Sequence, residues 1–291
     1  MEIVTKNTIR RYTDGKFIET DDIIAEEFPL TIYLNDVEFA TLVCSPDDLE
    51  ELVIGFLASE GALRSFKEIV SMNIDERGGF CHVKVSRELP KDYGTFSKRV
   101  LGSCCGKSRQ FYFQSDVDTA KFSLSDTKLT PEQCISLMKE MQEESTIFKD
   151  TGGIHNASIA SPDGTIVHKG DIGRHNALDK LYGYCLQNNI SVKDKVIVFS
   201  GRISSEVLTK ASKIGVGIVL SKSAPTDLAI KLAHDLNITA AGFIRGNSFN
   251  IYSHPWRIIG ADDLEYEYFN SNQQNEITKL DAKQYFPPKF S

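Results

Sequence analysis

Long apolar segments and an excess of basic residues are both missing from this 291-residue sequence. No apolar run approaches the ~20 residues that a membrane-spanning helix needs, so no membrane association is expected. The formal net charge of −7 argues against broad binding of nucleic acid, which depends on clustered lysines and arginines. Any anionic ligand therefore has to be bound by a local group of cations.

Secretion signals and disulfide spacing are lacking as well. The first residues, MEIVTK, have no basic segment followed by an apolar one, as a signal peptide would. The six cysteines do not follow the spacing of a disulfide-rich scaffold. We therefore expect a cytoplasmic protein. The composition, 41% hydrophobic and 25% charged, is that of a globular chain, and the length predicts one or two domains.

The candidate site for nucleophilic chemistry in the sequence is the run GSCCGKSR at residues 102–109. Cys104 and Cys105 lie between glycines, and Lys107 and Arg109 follow within four residues. Nearby cations lower the pKa of a thiol and so favour the thiolate, which is the nucleophile. The remaining cysteines lie in apolar or helical runs and are interpreted as buried: Cys44, Cys81, Cys134 and Cys185.

Other interpretations of this run are weaker. A phosphate-binding P-loop needs four residues between its glycines, and the stretch from Gly102 to Gly106 is one residue short. A zinc site needs further ligands, and no CxxC or HxxxH pair lies nearby. An inert cysteine pair remains the alternative to a nucleophile.

The periodicity of the chain predicts an α/β protein with an α+β N-terminal part. A hairpin is expected at 28–44, a helix with Ser45 as its N-cap at 49–60, and strands at 70–75 and 80–86. A helix at 131–148, a hairpin at 155–169 and alternating helices and strands to 254 follow. We predict an N-terminal domain at 1–128, a second domain at 129–262 and a polar tail at 263–291.

Cationic loops recur where predicted strands of the second domain end. Arg174, Arg202, Lys222 and Arg245 each lie in such a loop, and most of these loops precede a helix. Helix N-termini offer free N–H groups and a positive dipole, and arginine adds bidentate contacts to phosphate. The sequence therefore predicts a large, phosphate-bearing ligand. The serines and threonines of these loops have a simpler interpretation as N-caps.

A hairpin followed by alternating helices and strands is also the layout of the cytidine-deaminase fold. Deaminases need a zinc-ligating His or Cys two residues before a Glu, and then PCxxC. Residues 174–177 read RHNA and residues 201–205 read GRISS, so neither motif is present. We expect a shared three-layer scaffold without the zinc site and without deamination.

Over roughly residues 25–260 the sequence resembles the FdhD/NarQ family of formate dehydrogenase accessory proteins. The resemblance depends on FPLT at 28–31, ELVIGFL at 51–57, the Cys-Gly-Lys run, TGGIH at 151–155, DIGRHNALDK at 171–180, SGR at 200–202 and Arg245-Gly246. The run at 171–180 is the most specific of these.

The resemblance implies a sulfur carrier, that is, a sulfurtransferase acting through a cysteine persulfide. A cysteine desulfurase would load the sulfur, and the acceptor would be the bis(molybdopterin guanine dinucleotide) cofactor, bound as substrate, before its insertion into formate dehydrogenase. The family also implies a small N-terminal domain, a deaminase-like C-terminal domain and a homodimer. Its guanine-dinucleotide pocket includes the loop that matches Phe243–Ser248. With the cationic loops, the candidate cofactor-binding residues are Phe243, Ile244, Arg245, Gly246, Asn247, Ser248, Arg174, His175, Gly201, Arg202 and Lys222.

One departure from the family pattern concerns the thiols. Many members carry CxxC before the Gly-Lys pair, whereas alignment on Gly106 and Lys107 places Gly102 at the first cysteine and Cys105 at the second. We therefore predict Cys105 as the persulfide carrier, with Cys104 as a helper or alternate. A chaperone that only binds and delivers the cofactor, with dispensable cysteines, is the alternative function. A thiol oxidoreductase is disfavoured by the missing CxxC.

Overall fold

The computed structural model describes residues 2–87, 100–101 and 120–262. They form two compact units that are not continuous in sequence. The first unit contains 2–87, 100–101, 140–158 and 167–190, and the second contains 120–139, 159–166 and 191–262. The domains predicted from the sequence are continuous stretches, so a helix at 174–187 that they assign to the second domain lies here in the first unit.

The described elements are a mixture of strands and helices, which alternate one by one only from residue 174 to residue 245. The strands are β1 (Val4–Thr13), β2 (Lys16–Ala25), β3 (Phe28–Leu34), β4 (Val37–Cys44), β5 (Ile69–Asp75), β6 (Phe80–Val85), β7 (Val100–Leu101), β8 (His155–Ser161), β9 (Gly164–Asp171), β10 (Val196–Phe199), β11 (Ile218–Ser221), β12 (Thr239–Arg245) and β13 (Ser248–Ile251). The helices are α1 (Leu49–Ser59), α2 (Pro131–Glu144), α3 (Thr146–Thr151), α4 (Arg174–Gln187), α5 (Ser205–Ile214) and α6 (Asp227–Asp235). The predicted α/β class is confirmed.

The sheet of the first unit has five strands in the order β5-β6-β3-β4-β7. Strands β3 and β4 form the predicted hairpin, and both turn residues, Asn35 and Asp36, have positive φ (49° and 67°), as a type I′ turn requires. Strand β7 runs parallel to β4, with Leu101 opposite Leu42. The inward faces of β3, β4 and β6 pack with α1 into one hydrophobic core.

In the second unit, β10, β11 and β12 are parallel neighbours, and β13 is antiparallel to β12. These strands belong to a six-stranded sheet with the order β13-β12-β11-β10-β8-β9. Strands β10 and β11 are buried along their whole length, as parallel strands covered on both faces are. Their carboxyl ends therefore open at one edge of the sheet, where ligands of α/β proteins bind.

Helix termini show where local sequence determines structure and where it does not. Ser204 caps α5 by accepting the Val207 N–H at 3.3 Å, and Thr226 caps α6, as the N-cap interpretation predicts. The prediction for Ser45 is wrong, because Asp48, at φ 49°, is the N-cap of α1 and makes no side-chain cap. The helix predicted at 131–148 is confirmed over Pro131–Glu144, but it is broken at Ser145, so the structure has two helices, α2 and α3, where the sequence predicts one.

Helices α1 and α4 cross at two glycines. A Cβ at Gly55 would lie 1.8 Å from the Asp179 carbonyl oxygen, and a Cβ at Gly183 would lie 1.9 Å from that of Glu51. No other residue permits this backbone approach, which explains the glycine within each helix despite its low helix propensity. Among the described residues, no helix is long and apolar enough to cross a membrane.

Candidate functional site

The four cysteines that the structure describes are all free and buried, as predicted from their apolar surroundings. Burial raises the pKa of the Cys81 and Cys134 thiols to about 12 and that of Cys185 to about 11. The pKa of Cys44 is also raised by burial, and its Sγ lies 3.4 Å from the Phe28 carbonyl oxygen. None of these thiols is suited to nucleophilic chemistry near neutral pH.

The run 102–109 lies outside the described residues, and with it Cys104 and Cys105. Leu101 is the last described residue before the run, and it pairs with Leu42 on β4. The chain therefore enters the cysteine run from the edge strand of the first unit's sheet. Since the other four cysteines are buried, the two in the run are the candidates for a reactive thiol.

In the second unit, three loops follow the carboxyl ends of parallel strands and are tied to one another. Residues 200–204 follow β10, residues 222–226 follow β11, and Phe243–Ser248 lie at the end of β12 and the start of β13. Ser223 donates its hydroxyl to the Ser200 carbonyl at 3.1 Å and accepts the Phe243 N–H at its own carbonyl at 3.2 Å. These two bonds connect the three loops into one rim, which we call the β10–β12 rim.

Gly242 allows the loops of the rim to approach. A Cβ at this position would lie 2.7 Å from the Ser223 carbonyl oxygen and 3.3 Å from Pro225 Cδ. Side chains of any size are excluded there, so the close approach of 222–226 to β12 depends on this glycine. The register of β12 and β13 also shifts between Gly242 and Arg245, which places a bulge at the rim.

Phe243 adopts a strained backbone conformation within this bulge. Its φ is 55°, in the left-handed region that costs a non-glycine residue about 1–2 kcal/mol. The residue is 40% exposed, and the Arg245 guanidinium carbon lies 5.6 Å from the centroid of the Phe243 ring. An exposed aromatic ring held beside a cation in a strained loop is a platform on which a nucleobase can stack.

The cations predicted for ligand binding are accessible on this rim. Arg202 and Arg245 are exposed, Lys222 is half-buried, and Arg245 Nε donates to the Lys222 carbonyl at 3.3 Å. Gly246, Asn247 and Ser248 are exposed as well, whereas Gly201 is buried. Ile244 is only 1% exposed, so its side chain packs in the core and only its backbone is available to a ligand. The structure brings together nine of the eleven candidate cofactor-binding residues: Gly201, Arg202, Lys222 and Phe243–Ser248.

The other two candidates, Arg174 and His175, begin helix α4 in the first unit. They act together on a residue that the sequence analysis did not single out, His155 at the start of β8. Burial lowers the pKa of His155, and the charges of Arg174 and His175 lower it further. His155 is therefore neutral at physiological pH. Arg174 and His175 begin a helix that has no acidic residue in its first turn, so no carboxylate there offsets the positive end of the helix dipole.

A buried polar network fixes the start of α4. Asp171 and Lys180 are both fully buried and 2.9 Å apart between Oδ2 and Nζ. Burial raises the pKa of Asp171, whereas Lys180 and hydrogen bonds oppose that shift. Burial alone would lower the pKa of Lys180, but the carboxylates of Asp171 and Asp47 raise it above its usual value. The sequence analysis did not predict that the motif at 171–180 holds a buried ion pair. The available signal was an aspartate just before the predicted helix and a lysine within it.

The same network reaches the strand next to β7. Asn176 Nδ2 donates to Asp171 Oδ1 at 2.8 Å and lies 2.9 Å from the carbonyl oxygen of Val43, on β4. Ser45 donates its N–H to Asp171 Oδ2 at 3.0 Å and accepts the Ile172 N–H at its hydroxyl at 3.1 Å. Ser45 therefore fixes the turn before α4 rather than capping α1.

The model of the FdhD/NarQ family matches residues 25–259 of the chain, which is well over half of its length. The chain belongs to the FdhD/NarQ family. The match covers the cysteine run, the β10–β12 rim and the motif at 171–180, and it leaves out β1 and nearly all of β2. The resemblance noted in the sequence is thereby confirmed.

Individual relatives agree with this assignment. The sulfur carrier protein FdhD of Halalkalibacterium halodurans is 59% identical over 249 residues, which cover 85% of this chain and 92% of the relative. The protein of the same name from Staphylococcus aureus strain MRSA252 is 58% identical over 254 residues, covering 87% of this chain and 96% of the relative. The crystal structure of a formate dehydrogenase accessory protein from Desulfotalea psychrophila superposes with a TM-score of 0.74 at 25% identity, covering 89% of this chain and all of the other.

Proposed function

We propose that this protein is a sulfur carrier required for formate dehydrogenase activity. Membership of the FdhD/NarQ family carries this proposal, because relatives at 57–59% identity over nearly their whole length are named sulfur carrier protein FdhD. The burial of the four described cysteines supports it, since a carrier needs an accessible thiolate and only Cys104 and Cys105 remain as candidates.

Sulfur loading requires a donor with an activated sulfur, for which we propose the persulfide of a cysteine desulfurase. The Cys105 thiolate attacks the outer sulfur of that persulfide, the sulfur–sulfur bond of the donor breaks, and the desulfurase thiolate leaves. The new persulfide is on Cys105, and no external oxidant or reductant is needed. Such exchange is fastest when the attacking thiol has a pKa near ambient pH, which Lys107 and Arg109 favour.

The acceptor in this proposal is the bis(molybdopterin guanine dinucleotide) cofactor, bound as substrate. The β10–β12 rim supports a nucleotide ligand because it combines an exposed aromatic ring with exposed cations and the N-termini of α5 and α6. A guanine base would stack on Phe243, and Arg202, Lys222 and Arg245 would contact phosphates. Arg174 offers a further cation in the first unit, with the His175 imidazole next to it in the chain.

The proposal also includes expectations on oligomeric state, location and fold. We expect a homodimer in the cytoplasm that binds neither nucleic acid nor a membrane. We also propose a deaminase-like scaffold without a zinc site for the C-terminal part, because a hairpin precedes alternating helices and parallel strands there. This scaffold would supply the rim and no deaminase chemistry.

Intact-mass spectrometry after incubation with a cysteine desulfurase and cysteine tests the carrier role. We expect the added mass of one or more sulfur atoms, mapped to the peptide containing 102–109 and lost in Cys105→Ala. Cys185→Ala, which removes a buried thiol, is the matched control and should still be loaded. If Cys104→Ala abolishes loading and Cys105→Ala does not, Cys104 is the carrier.

The alternative function, a chaperone that binds and delivers the cofactor, predicts a different outcome. A Cys104→Ala/Cys105→Ala variant would then carry no sulfur yet still restore formate dehydrogenase activity. Binding of GDP tests the rim separately: Arg245→Ala should weaken it about tenfold, the equivalent of about 1.4 kcal/mol. Lys231→Ala, which removes an exposed cation paired with Asp227 on α6, should leave GDP binding unchanged.

A further inference from the structure

Strands β1 and β2 form a long hairpin that is a two-stranded sheet of its own. Its antiparallel register is unbroken from Val4 opposite Ala25 to Thr13 opposite Lys16, with the turn at Asp14 and Gly15. Helix α3 packs against β2, but within the described part of the chain neither strand has a second strand neighbour. Because a two-stranded hairpin is at best marginally stable in water, a further contact is expected to cover it.

One face of this hairpin carries its exposed aromatic side chains, and the opposite face carries Ile18 and Ile24, which are 38% and 40% exposed. The register places Tyr12, Phe17 and Ile23 on the same face, and they are 64%, 73% and 41% exposed. The rings of Tyr12 and Phe17 pack at 5.2 Å between centroids. These two rings alone expose on the order of 250 Å², given the 150–250 Å² of an aromatic side chain. Together with Ile23, the two rings give this face an apolar patch that a partner can cover.

The charges of the hairpin are divided between its strands. Strand β1 carries Lys6, Arg10 and Arg11 and no acid, whereas β2 carries Glu19, Asp21 and Asp22 and a single lysine at the turn. On the aromatic face, Arg10 lies opposite Glu19, and Lys6 Nζ lies 2.9 Å from Asp21 Oδ2. The face is therefore basic along one strand and acidic along the other.

This pattern is complementary to a copy of itself. We propose that the aromatic face of the hairpin packs on the same face of a second copy of this chain, around a twofold axis parallel to the strands. Such an axis places β1 of each copy over β2 of the other, so that cations meet acids and the aromatic tips meet each other. The proposal rests on the homodimer of the proposed function and names its surface.

Other arrangements of two hairpins bring like charges together. A twofold axis across the strands would place β1 over β1, and edge-to-edge pairing around a twofold axis also pairs a strand with itself. Both would bring the basic strand β1 against β1 of the other copy, or the acidic strand β2 against β2, which is unfavourable. The charge distribution therefore selects the face-to-face arrangement with β1 over β2.

Sedimentation velocity of the full chain tests the surface, at protein concentrations from about 1 µM to about 100 µM. We expect a dimer whose association constant falls at least tenfold in Phe17→Ala and in Arg10→Glu. Ile18→Ala and Arg11→Glu are matched controls, because this pair lies on the opposite face of the same strands and should leave association unchanged. Circular dichroism of each variant confirms that it is folded.

Complementation distinguishes the proposed pairing from a general effect on the hairpin. Arg10→Glu and Glu19→Arg should each associate at least tenfold more weakly alone, and an equimolar mixture of the two should recover dimers, because each copy then presents the charge that the other needs. A monomeric wild type would overturn both the homodimer and this surface. A dimer unaffected by Phe17→Ala and Arg10→Glu, or equally weakened by the opposite-face controls, would overturn the surface alone. Sulfur loading is measured separately, so its failure is distinguishable from either result.

Discussion

Replacing Asp171 with asparagine should destabilise the first unit strongly. The buried carboxylate accepts hydrogen bonds from four donors: the N–H groups of Ser45 and Gly173, Asn176 Nδ2 and Lys180 Nζ. An asparagine oxygen has two lone pairs, and its NH₂ can only donate, so about two donors lose their acceptor. Each unpaired buried donor costs about 1–3 kcal/mol, and removal of one partner from a buried ion pair costs about 3–5 kcal/mol. We expect a loss of about 3–5 kcal/mol for Asp171→Asn.

Urea unfolding followed by far-UV circular dichroism measures this loss. Fluorescence is a poor probe, because the single tryptophan, Trp256, lies in the second unit. Asp163→Asn, at an exposed turn, is the matched control and should change the free energy of unfolding by less than about 0.5 kcal/mol. A loss of less than about 1 kcal/mol in Asp171→Asn would refute the assignment of a tightly satisfied buried carboxylate.

A double-mutant cycle with Lys180→Met separates the ion pair from the other hydrogen bonds. Lys180→Met leaves the buried Asp171 carboxylate without its cation, and Asp171→Asn leaves Lys180 with Asp47 as its remaining carboxylate at 2.7 Å, whereas the double variant removes both charges of the pair. The double variant should therefore be less destabilised than the sum of the two single variants. An additive result would show that Asp171 and Lys180 do not act on each other.

Three further outcomes follow from the described residues. The Phe243→Gly variant should be more stable than Phe243→Ala by about 1 kcal/mol in urea unfolding, because glycine adopts the positive φ without strain. Both variants should lose affinity for GDP, measured by titration calorimetry. Equal stability of the two variants would contradict the strain at this position. Burial lowers the pKa of His168, so the unfolded state takes up a proton more readily than the folded state. The free energy of unfolding should therefore fall as the pH drops below about 6.5, with a slope of up to about 1.4 kcal/mol per pH unit, and His168→Gln should reduce that slope. A slope that the substitution leaves unchanged would argue against this role of His168. Alkylation of the native protein with iodoacetamide near pH 7.5 should modify at most two of the six cysteines, and a third adduct in the intact mass would contradict the burial of the other four.

Elements with a local cause were predictable from the sequence. The turn at Asn35 and Asp36 combines residues that tolerate positive φ with alternating flanks, and Ser204 and Thr226 precede their helices at the capping position. Ser45 has the same local signal, yet its partner Asp171 lies 126 residues further along the chain. A cap and a long-range hydrogen bond compete for the same side chain, and sequence spacing alone does not show which forms.

In the candidate site, too, features with a local cause were predictable from the sequence and features that depend on long-range contacts were not. Parallel strands end at one edge of a sheet, so the cationic loops after β10 and β11 could be placed from the order of elements alone. The contacts that connect the loops could not, because the Ser223 hydroxyl reaches Ser200 and Gly242 admits the Ser223 carbonyl through tertiary approach. Ile244 was included among the candidate ligand-binding residues only because it lies in the loop that resembles the family's pocket. Its side chain is in the core, so a motif match alone does not show which side chains face a ligand.

The Asp171 network also bears on how activity measurements are interpreted. Asn176 bonds to both Asp171 and Val43, and the residue before Val43, Leu42, pairs with Leu101, from which the chain enters the cysteine run. The start of α4 and the strand leading to the thiols are therefore held by one set of hydrogen bonds. A variant of Asp171 that loses sulfur transfer would not show that this carboxylate contacts sulfur or ligand. Only a loss of loading without a loss of folding, measured on the same sample, would assign it a chemical role.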